Sequence, residues 1–123
     1  FILVNIEEIK GKRLVIDSLT AFLSGCTEAF EYRALMHLFY KILKTRGYTT
    51  LITCSVPLGA EKLGTGTEEF IADSVLFLEN VIDGLELKTK FLIRKMRGTE
   101  HSKKYHNVII TDKGLQIVPF TVT

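Results

Sequence analysis

The segment "KRLVIDSL", residues 12–19, decides the fold. Its apolar run Leu14-Val15-Ile16 is short, continuous and rich in β-branched residues, a pattern typical of a strand buried within a parallel sheet. The run ends abruptly at Asp17. Because α/β sheets bind ligands in the crevice outside the carboxyl ends of their strands, an acid at this position predicts a ligand site.

A helix and a second strand follow this segment. Residues 27–47 place apolar side chains such as Leu35 and Leu38 at helical spacing, collect lysines and an arginine near the end, and finish on Gly47. The next segment, "TTLITC" at 49–54, has the composition of another buried strand. The order strand, helix, strand is the unit from which parallel sheets are built.

The pattern changes in the second half of the chain. Residues 74–80 predict a third strand, and several β-rich segments follow it. Turn signals at Asp83-Gly84 and Lys113-Gly114 separate these segments. We therefore predict an α/β fold in which parallel strands with helices are followed by an antiparallel β tail.

Composition limits the class of protein. The 123 residues suffice for one domain, and no apolar run approaches the ~18 residues of a membrane span. The start does not resemble a secretory signal, and two widely separated cysteines are typical of a reduced, cytoplasmic protein. The net charge is only +2, but residues 88–106 hold seven lysines or arginines against one acid. This segment favours an anionic partner or a solvated surface.

Two strand ends carry polar residues. Asp17, with Ser18 beside it, has the chemistry to hold a Mg²⁺ ion, but it could equally cap the following turn. Thr53 and Ser55 end the second strand, where nucleotide hydrolases use a polar side chain to sense the γ-phosphate. The alternative is that both strands simply become polar as they reach solvent. The residues alone leave both interpretations open.

A third group is "KMRGTEH", residues 95–101. Strand alternation places Lys95 and Arg97 on one face, and Gly98 allows a sharp turn that brings the following residues close. Two cations on one face suit a polyphosphate, although a charged edge strand would look the same. The histidines at 101 and 106 lack a matching acid or cysteine cluster, so a zinc site is not predicted.

Together these segments resemble a known family. "RLVIDSLT", "GYTTLIT", "GTEEFIADSVLFLEN", "IRKMRGTEH" and "VIITDKGLQIVP" follow the order seen in KaiC-like ATPases of the RecA superfamily, from Arg13 to Pro119. The most specific part is the combination of "EEFIADSV" with "KMRGTEH" and "ITDKG". The resemblance implies a RecA-like P-loop NTPase core that binds ATP and Mg²⁺ in a ring-type homo-oligomer, for signalling or regulation.

The resemblance also implies roles for individual residues. Asp17 matches the Walker B aspartate at the magnesium shell, and Thr53 lies at the sensor-like strand end. Lys95 and Arg97 match basic residues that reach the phosphates of a neighbouring subunit's nucleotide. The implied contacts with the rest of the nucleotide involve Met96, Thr99, His101 and Asp112, and Ser18, beside Asp17, is a further predicted cofactor-binding residue.

The chain also departs from the family pattern. The Walker A loop, G-x-x-x-x-G-K-[ST], does not occur in these 123 residues, because the glycines of "GAEKLGTG" lack the required lysine and hydroxyl residue. Ser55 stands where clock proteins carry an acid. We therefore expect residues 1–123 to form one partial domain, the Walker B half, whose parent protein is the ATPase. This chain alone is expected not to hydrolyse ATP and to bind it feebly at best.

Two alternatives come from other functional classes. One is a degenerate, non-catalytic paralogue that serves as a regulatory or scaffold module. The other is a recombinase-like module that binds nucleic acid through the loop "SVPLGAEKLGTG", residues 55–66. That loop has a single cation, Lys62, and no aromatic residue for base stacking, which argues against tight DNA binding. The basic segment 88–106 leaves the possibility open.

Overall fold

The computed structural model describes residues 2–22, 24–25, 28–56 and 66–119. The chain divides into two compact units, residues 1–71 and 72–123. The elements of the first unit are α1 (Ile2–Glu8), β1 (Arg13–Ile16), α2 (Leu19–Phe22), α3 (Ala29–Thr45), β2 (Thr49–Ile52) and α4 (Thr67–Ile71). Those of the second are β3 (Ser74–Asp83), β4 (Glu86–Met96), β5 (His106–Thr111) and β6 (Gly114–Pro119).

The first unit is organised around a parallel strand pair. Strand β1 lies beside β2, with Arg13 opposite Thr49 and Ile16 opposite Ile52. The helix α3 lies between the two strands in sequence, which confirms the predicted strand–helix–strand unit. This helix begins at Ala29, two residues after the start of the predicted segment 27–47, and Glu28 makes no side-chain capping bond.

A glycine ends α3, as predicted. Gly47 adopts a φ of +70°, a left-handed conformation that costs other residues about 1–2 kcal/mol. Its N–H donates to the carbonyl oxygen of Lys44 at 3.1 Å, and the N–H of Tyr48 donates to that of Leu43 at 3.0 Å. These two bonds form a Schellman motif, which turns the chain directly into β2.

The core of this unit forms next to the end of β1. Leu19 is 1% exposed and packs with Met36 of α3 and Ile71 of α4. Four partly buried side chains surround this cluster: Tyr32, Tyr40, Ile52 and Cys54. Since Leu19 follows Asp17 by only two residues, the core fixes the chain beside the predicted ligand site.

The second unit is a four-stranded antiparallel sheet in the order β3-β4-β5-β6. Asp83 lies opposite Glu86 and Thr111 lies opposite Gly114, so two-residue loops join β3 to β4 and β5 to β6. Both predicted turn signals are therefore confirmed. The strand predicted at 74–80 is part of β3 and pairs with β4 in the antiparallel tail. Among the residues that the structure describes, no helix is long and apolar enough to cross a bilayer.

We expect Leu19→Ala to lower the free energy of unfolding by about 2–5 kcal/mol, because it leaves a cavity in the core of the first unit. All helices of the described residues lie in that unit, so circular dichroism at the helical band during urea unfolding reports on it. Leu85, which is fully exposed, supplies the matched control: Leu85→Ala should change the stability by no more than about 0.5 kcal/mol. Equal effects of the two substitutions would contradict this description of the core.

Candidate functional site

Asp17 and Thr53 lie side by side at the carboxyl ends of β1 and β2. The N–H of Thr53 donates to the carbonyl oxygen of Ile16 at 3.0 Å, which continues the ladder one residue past the strands. The Thr53 hydroxyl then donates to Oδ1 of Asp17 at 2.5 Å. Both side chains are exposed. The structure therefore brings together two residues that the sequence singled out separately, and it gives the Asp17 carboxylate a fixed neighbour.

Ser18 occupies a different place at this edge. Its hydroxyl oxygen accepts the N–H of Ala21 at 3.4 Å, so Ser18 caps the short helix α2. The N–H of Leu19 donates to the carbonyl oxygen of Thr53 at 2.8 Å and closes the same edge. The peptide bond between Asp17 and Ser18 is cis. Ser18, and not Asp17, therefore caps the turn that follows β1, while the Asp17 carboxylate is bonded to Thr53. A nucleotide contact by Ser18 stays a prediction.

The chemistry of this edge fits a magnesium ion that arrives with a polyphosphate. Mg²⁺ commonly binds one or two protein carboxylates and takes its other ligands from water and substrate phosphates. Asp17 supplies one such carboxylate. Within the described residues, no group of three or more histidine, cysteine, aspartate or glutamate side chains could hold a metal by itself. A role of Asp17 in binding Mg²⁺ stays a prediction.

A second polar group lies around the core of the same unit, and sequence reasoning did not predict it. The Tyr32 hydroxyl of α3 donates to Oε1 of Glu68 in α4. Burial raises the pKa of the Cys54 thiol, and the negative charge of Glu68 raises it further. The thiol is therefore protonated at neutral pH and behaves as a small apolar residue. The sequence feature that could have pointed to this group is the family-specific segment "EEFIADSV", which begins with Glu68.

The basic turn begins where β4 ends. Arg97 follows the last residue of β4, and its N–H donates to the carbonyl oxygen of Asp73 at 2.8 Å. Its Nη1 also lies 3.2 Å from Oδ1 of Asp73, so the two residues form an ion pair. Asp73 immediately precedes β3 and was not among the predicted site residues. Its contacts tie "EEFIADSV" to "KMRGTEH", the two segments whose combination is most specific to the family.

Gly98 reverses the chain beside Arg97. Its φ is +69°, and the N–H of Thr99 donates to the carbonyl oxygen of Met96 at 3.4 Å. Nδ1 of His101 lies 3.2 Å from the carbonyl oxygen of Thr99. Because a carbonyl oxygen only accepts, Nδ1 carries the proton in this bond. Five predicted site residues are thereby gathered at the end of β4 and in this turn: Lys95, Met96, Arg97, Thr99 and His101.

Asp112 lies elsewhere in the sheet. Thr89 of β4 is opposite Val108 of β5, and the strands run antiparallel. The loop that contains Asp112 therefore lies toward the beginning of β4, whereas Arg97 follows the end of that strand. Within one chain, Asp112 and Arg97 therefore lie toward opposite ends of β4. A nucleotide contact by Asp112 stays a prediction.

Part of the positive charge of segment 88–106 is neutralised within the sheet. Nζ of Lys88 lies 2.8 Å from Oδ2 of Asp83 and 3.8 Å from Oε2 of Glu86. The hydrogen bond and charge of Lys88 lower the pKa of Asp83, and Asp83 raises that of Lys88. Together with the Arg97 ion pair, these contacts reduce the charge available to a nucleic acid.

The arrangement defines a class of protein. An acid and a hydroxyl residue meet at the carboxyl ends of parallel strands, and a basic turn ends a strand of an antiparallel sheet, as in RecA-like ATPase cores. The family model described as "ATPase: KaiC" matches residues 2–122. The chain belongs to the KaiC family of ATPases, which confirms the resemblance seen in the sequence. Members of this family bind nucleotide and form oligomers.

Individual relatives agree with this assignment. A UPF0273 protein of Thermotoga maritima is 36% identical over 115 residues, covering 93% of this chain and 46% of that protein. The circadian clock oscillator protein KaiC of Synechococcus elongatus is 32% identical over 118 residues, covering 93% of this chain and 22% of that protein. The chain thus spans less than half the length of these relatives.

A solved structure agrees in fold. The crystal structure of a KaiC-like protein from Pyrococcus horikoshii OT3 superimposes with a TM-score of 0.81 and 36% sequence identity. The match covers 96% of this chain and 51% of that protein. The α/β, RecA-like fold predicted from the sequence is confirmed.

The raised pKa of Cys54 has a measurable consequence. In a Cys26→Ser chain, we expect the rate of reaction with DTNB to rise with pH around a higher midpoint in the folded state than in urea. A raised folded pKa also means that this thiol contributes stability below its unfolded pKa, which is lost as pH rises toward the folded value.

The causes can be separated by substitution. Glu68→Gln should lower the midpoint by removing the charge while keeping the burial, whereas Glu69→Gln on the same helix should change it less. A midpoint that is equal in the folded and unfolded chains would contradict the described environment of Cys54.

Proposed function

We propose that this chain is the Walker B half of a KaiC-like ATPase subunit that binds Mg-ATP at interfaces between identical subunits, for signalling or regulation. The observation that carries the proposal is the hydrogen bond from Thr53 to Asp17 at the carboxyl edge of β1 and β2. It presents a carboxylate beside a hydroxyl where the fold binds its ligand. Membership of the KaiC family supports the nucleotide as that ligand.

Asp17 would contribute to the magnesium shell. When bound, the ion neutralises charge on the phosphate oxygens of the nucleotide. Thr53 keeps the Asp17 carboxylate in one orientation, because its hydroxyl is bonded to Oδ1 and its backbone is bonded to β1 on one side and to Leu19 on the other. These contacts within the chain organise the edge without a ligand, and electrostatic stabilisation of phosphoryl transfer requires such preorganisation.

Lys95 and Arg97 would act on the nucleotide of a neighbouring subunit. The turn at Gly98 ends the strand and leaves the Arg97 side chain about half exposed, so its guanidinium is accessible to an oxyanion. A guanidinium binds phosphate oxygens through two parallel N–H bonds and stabilises the charge that develops during transfer. In this proposal Met96, Thr99 and His101 contact the base and ribose, and Ser18 and Asp112 make further contacts with the nucleotide.

In this proposal another segment of the protein binds the phosphates, since the Walker A sequence does not occur in these 123 residues. We therefore expect the 123-residue chain alone to show no ATP hydrolysis and only weak binding in a calorimetric titration with Mg-ATP. Backbone N–H groups of a P-loop supply most contacts with the phosphates, and none of them would be present. Micromolar affinity of this isolated chain for Mg-ATP would contradict the assignment of two separate halves.

In the full-length protein, Asp17→Asn and Arg97→Ala should each lower the rate of ATP hydrolysis, the latter by about 10³-fold, as for other trans-acting arginines. Mixing tests the location of the arginine. If Arg97 acts on a neighbour, equal amounts of the two variants assembled together should recover about a quarter of the wild-type rate, since one site in four then has both residues intact.

The mixing experiment has two informative failures. Inactivity of both variants without recovery on mixing would place Arg97 in its own subunit's site and overturn its action on a neighbour. A wild-type full-length protein that assembles and binds nucleotide without hydrolysing it would instead support the non-catalytic scaffold function.

A further inference from the structure

Asp73 holds Arg97 through two bonds of different kinds. Its carbonyl oxygen accepts the Arg97 N–H at 2.8 Å, and its carboxylate oxygen Oδ1 lies 3.2 Å from the Arg97 Nη1. The first bond fixes where the backbone of Arg97 leaves β4. The second fixes the direction of the guanidinium. One residue therefore sets both the origin and the orientation of the proposed phosphate-binding side chain.

The ion pair has little value for stability. The side chains of Arg97 and Asp73 are 49% and 55% exposed, and exposed pairs contribute little because water and salt screen them. Removing the pair should therefore leave folding almost unchanged. An effect on the function of Arg97 would then have to come from its orientation.

We infer that Asp73 is a positioning residue that keeps the Arg97 guanidinium oriented toward the phosphates of a neighbouring subunit's nucleotide. The inference rests on the proposed function of Arg97 and extends it to a residue outside the proposed nucleotide site. It also gives a physical reason why "EEFIADSV" and "KMRGTEH" occur together: the first segment supplies the acid that orients the arginine of the second.

A guanidinium can bind a carboxylate and a phosphate at once. It has five N–H donors in a planar fork, and Oδ1 of Asp73 lies 3.2 Å from one nitrogen of the Arg97 guanidinium, Nη1. Such a fork can pair with phosphate oxygens through two parallel N–H bonds. A side chain held in this way loses less rotamer freedom when it meets the phosphate than a freely rotating one.

The test uses ATP hydrolysis by the full-length protein. Asp73→Ala should lower kcat by about 3- to 10-fold, the size expected when one long side chain is ordered only during the reaction. The KM for Mg-ATP should change less, because Arg97 acts mainly on charge that develops during transfer. Asp73→Asn keeps an amide oxygen at the position of Oδ1 and should restore most of the rate. Glu100→Ala removes an exposed acid near the same turn and should leave kcat unchanged.

A double substitution separates the inference from the proposed function. If Asp73 acts through Arg97, Asp73→Ala should have no further effect on kcat in the Arg97→Ala protein. A wild-type rate for Arg97→Ala alone would overturn the proposed function. A low rate for Arg97→Ala combined with a wild-type rate for Asp73→Ala, or with additive losses in the double variant, would overturn only the role of Asp73.

An activity-independent measurement completes the test. In the 123-residue chain, the ¹⁵N–¹H heteronuclear NOE of the Arg97 Nε–H group reports the motion of its side chain. The value should be high in the wild type, fall in Asp73→Ala, and stay high in Asp73→Asn and Glu100→Ala. An equally mobile Arg97 in the wild type and in Asp73→Ala would overturn the inference, and amide spectra of the same samples verify that each variant is folded.

Discussion

The continuation of the β1–β2 ladder past its last strand residues is the constraint on which the first unit depends. The Thr53 backbone accepts from Leu19 and donates to Ile16, so two chain segments separated by the whole of α3 are joined at one point. That junction places the Thr53 hydroxyl on the Asp17 carboxylate. It also delivers Leu19 into the core between α3 and α4. Site and core are therefore built from consecutive residues.

The hydrophobic core fixes the position of Asp17 at the ligand-binding edge for a physical reason. A carboxylate at a strand end tends to turn into water, and an exposed bond to threonine alone would hold it weakly. Here the residues that flank Asp17 are fixed independently: Ile16 is in the strand and Leu19 is buried. The bond between Glu68 and Tyr32 links the helices that enclose Leu19. The position of the acid is thus set by hydrophobic burial close by in sequence.

In the second unit, local sequence patterns predicted the hairpins but not all of the contacts between side chains. The alternation of residues in β3 and β4, and glycines 84 and 114, were sufficient to predict its hairpins, because each turn involves residues adjacent in sequence. The same reasoning grouped Lys95 and Arg97 near Gly98. It did not find Asp73, since an aspartate before a strand is common and only the pairing of β3 with β4 brings it beside Arg97. Nor did it show that Asp112 lies away from that turn.

The sequence by itself determined the strand–helix–strand order, the antiparallel tail, and the acid and hydroxyl at two strand ends, because hydrophobic periodicity and glycine turns act over a few residues. The resemblance to KaiC-like ATPases was also visible in the order of its segments. Only the tertiary structure decided which of these residues meet: Asp17 with Thr53, Tyr32 with Glu68, and Arg97 with Asp73. Such contacts join residues 24 to 36 positions apart, and their geometry follows from strand register and helix packing, which no local pattern encodes.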